Sequence, residues 1–436
     1  MHVAPFRLMR ASLCCFLVAS LAACAPQGDA NGSAAPGSML WTIRLATDTH
    51  DEASSVATDA FGNAYVVGST RADIATGVSG HGSAQGYLAK IAGDGSVLWI
   101  RQFGSATSVF AASVAADEHG GVFVAGRTLR YREGDDAGDL EAFVRKHGSS
   151  GDLMWERQLG TVAEDEVRGV AVDGAGNLWV VGATKGDLAG PNAGQSDVFV
   201  RTYDTDGREG WTRQFGTARE DVATGVAVDE AGNGFVVGFT SGALDIASGA
   251  LTDAFVRKYD PEGVALWTHQ FGSGSTRYGD AAVGVAVDTV GRAVVVGYTA
   301  GDLASSDGHG GGLLDAFVRT YTADGVHVWT RQFGTRAAVA AQAVTVDALG
   351  RVFVAGSSLG AFEGLRSEGL RDVFVRAFDG DGDELWTRQI GTPGDDFAHG
   401  ISVDATGKLI LVGVNDAVRG DNSHAVRDAF VMKLEP

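Results

Sequence analysis

Three observations predict an all-β chain folded as a seven-bladed β-propeller. A tryptophan opens a strand-like run seven times, at Trp41, Trp99, Trp155, Trp211, Trp267, Trp329 and Trp386, once every 56–62 residues. Each period holds four short runs rich in valine, phenylalanine or tryptophan, the composition of β-strands. Turn residues punctuate those runs at fixed offsets. A period of this length marks an array of small sheets, each burying its faces against its neighbours.

The period beginning at Trp211 shows the elements in order. W-T-R-Q-F-G is followed by T-G-V-A-V-D, G-N-G-F-V-V-G-F-T and D-A-F-V-R-K-Y-D. D-x-x-G separates the second run from the third, with Asp59, Asp117, Asp173, Asp229, Asp288, Asp347 and Asp404 leading to Gly62, Gly120, Gly176, Gly232, Gly291, Gly350 and Gly407. An aspartate bonds the amides of its own turn and glycine supplies positive φ, so these aspartates read as turn formers. A second turn ends at Gly95, Gly151, Gly207, Gly263, Gly325 and Gly382, each four residues before a tryptophan. The sequence shows six such glycines, because the chain stops at Pro436 just after the run Asp428 to Leu434. The array thus begins with a tryptophan strand and ends with the three other strands of a blade. Leu40 to Leu45 is expected to complete that last blade, giving four antiparallel strands in every blade and a ring without an open edge.

G-[VI]-[AS]-V-D-x-x-G-N-x-x-V-x-G-x-T, followed by D-A-F-V-R-K, resembles the SBBP-type bacterial β-propeller repeat, and more distantly the NHL repeat. The resemblance covers nearly all of residues 40–434. It implies that the G-V-A-V-D strand is innermost and the tryptophan strand outermost, in an exported protein. It implies no activity, since fold and function separate.

The N-terminus reads as a targeting segment. Arg7 and Arg10 precede an apolar stretch from Ala11 to Ala23, and Leu21-Ala22-Ala23-Cys24 resembles the bacterial lipobox. Residues 1–23 are expected to be a lipoprotein signal peptide, 24–38 a lipidated Cys24 with a flexible tether, and 39–436 the propeller. Alanine after the cysteine implies outer-membrane sorting in a Gram-negative cell. Cys14 and Cys15 would leave with the signal, so Cys24 stands alone and no internal disulfide is expected. A net charge of −20 argues against nucleic acid as partner. The expected partners are the membrane, through the anchor, and an envelope protein or glycan bound by a monomer.

Long links between blades, and between the second and third strands of a blade, fall on one face of such a ring; the tight turns fall on the other. The long links include Arg71–Ala84, Leu129–Leu140, Lys185–Ser196 and Ala300–Leu314, the last with the divergent insertion Gly308–Gly312. Binding on a rigid scaffold usually resides in loops of this kind. Eight residues before the turn aspartate stand Asp51, Asp165, Asp221, Asp280 and Asp396, with Val109 and Val339 in the other two repeats. They are expected to ring the mouth of the central channel, either as a Ca²⁺ site, the one cofactor considered, or as caps of their own loops. Recurrence in blade after blade favours capping.

A second acidic series, Asp197, Asp253, Asp315, Asp372 and Asp428 with Glu141, starts the strand that carries Arg145, Arg201, Arg257, Arg319 and Arg376. These arginines are expected to pair with acids or cover aromatic rings. The histidines share no repeat position. His399, beside Asp395 and Asp396 near the channel mouth, is the single catalytic candidate, and no established catalytic motif accompanies it. The reading that follows is a membrane-anchored binding or scaffolding module of the cell envelope. The alternative is an envelope lyase or hydrolase acting on polysaccharide or peptide at the channel mouth.

Overall fold

The computed structural model describes residues 34–74, 82–104, 108–130, 139–245, 251–275, 277–303, 313–418 and 425–436. The signal segment, Cys24 and the Gly308–Gly312 insertion lie outside them. Within the described residues the chain forms seven four-stranded antiparallel sheets. Their inner strands are Asp51–Thr58, Val109–Ala116, Asp165–Val172, Asp221–Val228, Ala281–Val287, Val339–Val346 and Asp396–Val403. The second and third strands of each blade are apolar on both sides, because each sheet is covered by a blade on either flank. Val236, Val237, Phe255 and Val256 of the fourth blade are all fully buried.

Six blades are continuous in sequence and the seventh is made from both ends of the chain. Met39–Leu45 pairs antiparallel with Ala425–Leu434, placing Thr42 opposite Met432 and Ile43 opposite Val431. The Arg44 guanidinium pairs with the buried carboxylate of Asp428 across this seam. The expected closure is therefore present, and the structure extends it. Gly37, four residues before Trp41, has a φ of 71° and is the seventh member of the turn-glycine series. Its N–H donates to the Glu435 carbonyl at 3.1 Å and Glu435 N–H donates to Ser38 at 2.9 Å. In the first blade the same bonds run from Gly95 to Ala92 and from Ala92 to Ser96, at 2.9 and 2.8 Å. Such a turn needs both arms but not a continuous chain between them. Residues 35–38, assigned to the tether by the sequence, belong to this turn.

The tryptophans fasten each blade to the next instead of filling blade centres. Each indole lies on the turn glycine of the following blade, so closely that a Cβ at Gly263 would stand 2.6 Å from Trp211, and one at Gly207 2.7 Å from Trp155. Trp386 lies in the same way against Gly37. Glycine is thus required here twice, for its backbone conformation and for its missing side chain. The indole N–H then donates to a carbonyl of the same turn, at 2.8 Å from Trp211 to Pro261 and 3.1 Å from Trp41 to Gly93. The polar tip of the ring is satisfied while its apolar body is covered.

The D-x-x-G aspartates form turns as expected. Asp59 accepts from the N–H groups of Phe61 and Asn63 at 3.0 and 2.9 Å. Several also meet a lysine from the third strand. Lys433 Nζ lies 2.6 Å from Asp404 and donates to the Gly93 carbonyl of the next blade at 3.0 Å. A buried carboxylate is so neutralised and the seam between blades gains a bond.

Candidate functional site at the channel mouth

Every inner strand carries a β-bulge. The ladder skips one residue in each blade: Ser54, Ala112, Arg168, Thr224, Val283, Gln342 and His399. The cause lies on the second strand, in the glycine of V-x-G-x-T. A Cβ there would sit 1.7 Å from the Glu52 carbonyl oxygen at Gly68, 1.8 Å from that of Glu166 at Gly182, and 1.9 Å from that of Phe397 at Gly413. Only glycine lets the bulged strand press so close.

The seven skipped residues all line one cavity of about 600 Å³. Each blade therefore contributes one side chain to the mouth of the channel. An adjoining cavity of about 160 Å³ adds Gly169, Gly225, Gly284, Ala343 and Gly400 to the lining, beside Arg168, Thr224, Gln342 and His399, which line both. The bulge is the device that gives the channel a chemical identity, since it turns a residue of free choice inward while the residue just before it stays buried in the core.

Fixed charges gather on one side of this mouth. Glu166 receives the Arg127 guanidinium, and Arg168 donates to it through Nη2 and Nε at 2.9 and 3.1 Å. Arg127 also covers the Phe110 ring, 5.6 Å from its centroid. Burial lowers the pKa values of both arginines, yet a guanidinium starts high enough to stay charged. His399 faces the same mouth from the seventh blade. Its Nδ1 is 3.0 Å from the Ala53 carbonyl and 3.6 Å from Glu52 Oε1. A carbonyl only accepts, so Nδ1 carries the proton and Nε2 is the basic nitrogen of the neutral ring.

The five aspartates that the sequence places around the mouth do not line this cavity. Asp51, Asp165, Asp221, Asp280 and Asp396 are buried within their own blades. Thr47, Thr161, Thr217 and Thr392 each donate both backbone N–H and hydroxyl to Asp51, Asp165, Asp221 and Asp396, and Ser273 does the same for Asp280, its N–H at 2.7 Å. The hydroxyl residue stands a few positions earlier and draws the carboxylate back into the loop. Among the described residues no three His, Cys, Asp or Glu side chains gather closely enough to share one metal ion. Burial raises the pKa of Asp221, and raises that of Asp396 to about 6, helped there by the nearby carboxylates of Asp372 and Asp416.

The second acidic series meets a partner that the sequence reading left out, the glutamine three residues after the outer-strand tryptophan. Gln270 donates to Asp253 at 2.7 Å and to the Gly242 carbonyl at 2.9 Å, and its oxygen accepts from Leu244 N–H at 2.8 Å. Gln214, Gln332 and Gln389 repeat the arrangement on Asp197, Asp315 and Asp372. The outer strand thereby staples the start of the long loop. In the seventh blade Arg44 occupies the glutamine's place. The strand-three arginines cover rings as expected: Arg257 is 3.9 Å from the Phe215 centroid, and Arg145 and Arg376 are 4.4 Å from those of Phe103 and Phe333.

The match to a family model agrees with the repeat. The model of the SBBP beta-propeller repeat matches residues 40–75, 98–129, 210–244 and 328–363. Regulatory protein FlaEY of Caulobacter vibrioides is 28% identical over 230 residues, which cover 48% of this chain and 24% of that protein. The chain thus spans about a quarter of the length of that relative. Among solved structures, Sqt1 from Chaetomium thermophilum aligns with a TM-score of 0.48 at 12% identity, covering 92% of this chain and 99% of that one. The periplasmic gluconolactonase PpgL of Pseudomonas aeruginosa aligns with a TM-score of 0.47 at 15% identity, covering 89% and 96%. The repeat pattern, the seven sheets and the closing strand together make this chain a seven-bladed β-propeller, with SBBP beta-propeller repeats at the four matched segments.

Proposed function

We propose that this chain is a lipid-anchored binding or scaffolding module of the cell envelope that takes its ligand at the channel mouth. The observation that carries the reading is the convergence of one side chain from every blade on a single cavity of about 600 Å³. That volume falls within the range of small-ligand sites, roughly 300–1,000 Å³. The Arg127–Glu166–Arg168 cluster supplies fixed charges of both signs, which suit a polar ligand such as an envelope glycan or the end of a peptide. The lipobox at Leu21–Cys24 supports export and anchoring. Thermal unfolding of the ring with envelope glycan fragments and peptides is the test. A midpoint that rises with ligand concentration, and no longer rises in Arg168→Ala, is the expected result. No rise with any member of such a panel would count against the mouth as the binding site.

One observation favours a hydrolytic reading of the same cavity, the basic Nε2 of His399 described above. Turnover of a glycan or peptide that disappears in His399→Gln would replace binding by catalysis. Turnover retained in that variant would remove His399 from any such role.

A further inference from the structure

We infer that the tight-turn face of the ring rests on the lipid surface that holds Cys24, with the channel mouth directed away from it. This rests on the lipid-anchor reading above and adds the face that meets the membrane.

The exit of the chain decides the orientation. Gly37 sits in a tight turn, and only the residues between Cys24 and Gly37 link the ring to the anchor. A coil of about 13 residues has a reach of about 20 Å. Seven-residue strands make the ring about 23 Å deep. Turning the opposite face to the membrane would require the tether to run the whole depth and round the rim as well. That path, at least the ~23 Å depth, already exceeds the ~20 Å reach, whereas seating the exit face on the membrane needs none of it. The face that the chain leaves from is therefore held next to the bilayer.

That face also carries apolar side chains that no packing within the ring explains. Phe61, Val290 and Leu349 stand at the tips of D-x-x-G turns with 81%, 71% and 80% of their surface exposed. His119, Ala175, Ala231 and Thr406 fill the same turn position in other blades, so the turn itself does not ask for an apolar residue. The two turns of a blade lie side by side: a Cβ at Gly93 would be 3.3 Å from the Gly62 carbonyl. Leu98, Met154 and Leu266, at the starts of outer strands, expose further apolar surface at this same end. Val162 and Leu370 are exposed in the long links, so apolar content alone does not choose a face; the exit does. Exposed Asp94, Glu118, Asp206, Glu230, Glu262 and Asp381 accompany the tips and oppose an anionic surface, so the contact suits zwitterionic lipid alone.

The test uses the full lipidated chain in phosphatidylcholine vesicles. Cys24 is acylated and is the only cysteine after the signal, so Ala60→Cys on a tight turn and Gln195→Cys on a long link each accept one fluorophore. A quencher carried on lipid headgroups is expected to quench the label at position 60 several-fold more than the label at position 195. Adding Phe61→Asp and Leu349→Asp is expected to lower quenching at position 60 several-fold while the protein still floats with the vesicles. Equal or reversed quenching in protein that floats would overturn the orientation alone. Unchanged quenching in the aspartate variant would overturn the apolar contact. Failure of the unsubstituted chain to float would overturn the anchor reading, and this inference with it.

Discussion

Gln270 shows how a residue that looks like strand filler governs a loop. It holds the buried Asp253 carboxylate, the Gly242 carbonyl and the Leu244 amide at once. Gln270→Leu leaves these groups without their partner and is expected to cost about 1–3 kcal/mol in chemical unfolding; a loss near zero would mean that water replaces the side chain. The recurring aspartates were legible as a series, but their direction was not. Whether a carboxylate at the start of the inner strand faces the channel or its loop depends on Thr47 and its counterparts, whose hydroxyls reveal their aim only in three dimensions. Because amide and hydroxyl donors within each blade already hold one oxygen of each of those carboxylates inside its own loop, added Ca²⁺ is expected to leave the melting midpoint unchanged relative to EDTA. A midpoint climbing with Ca²⁺ concentration would restore the cation reading. Asp396 gives a pH signature. Its native pKa is about 6, against about 3.9 in an unfolded chain. Between those values the folded protein keeps a proton that the unfolded chain has released, so stability falls as pH rises through this window and stays lowered above it. Asp396→Asn is expected to flatten that slope, and an unchanged slope would assign it to other groups.

At the scale of the element, the inner strand and its glycine partner form the unit that matters. The turn glycines announced themselves through spacing, and so did the strands between them. The bulge did not, because every repeat carries it and no comparison between repeats exposes an extra residue. Its trace is the glycine of V-x-G-x-T, which the pattern contains and which apolar periodicity cannot interpret. Gly182→Ala is expected to destabilise the ring by about 1–3 kcal/mol through overpacking against Glu166, and to displace Arg168 at the mouth. If Gly182→Ala matched wild type in unfolding, the close approach of these two strands would be wrong. The chemistry of the mouth was legible only at His399; Arg168 and Gln342 occupy the same repeat position, but their residue types vary too much from blade to blade to register as a motif.

The whole molecule depends on closure. The sequence displayed the displaced first strand plainly, since an outer-type run precedes the first complete blade. It concealed the seventh turn, whose two arms are Gly37 and Glu435 at opposite ends of the chain, so that no local pattern joins them. With that turn the ring becomes cyclic in its contacts: Trp386 lies on Gly37 as Trp211 lies on Gly263. Loss of the first strand would leave the Ala425–Leu434 edge unpaired and open to other chains. The most direct measurement is oxidation of Thr42→Cys with Met432→Cys, two residues opposite each other in the closing pair, in a Cys24→Ser background. Opposed residues bring their Cβ atoms to about 4.5–5.5 Å, close to disulfide range. The account predicts a disulfide within one monomer that raises the unfolding midpoint. Disulfide-linked dimers, or free thiols under conditions that oxidise a control pair within the fourth blade, would contradict a ring closed by its own first strand.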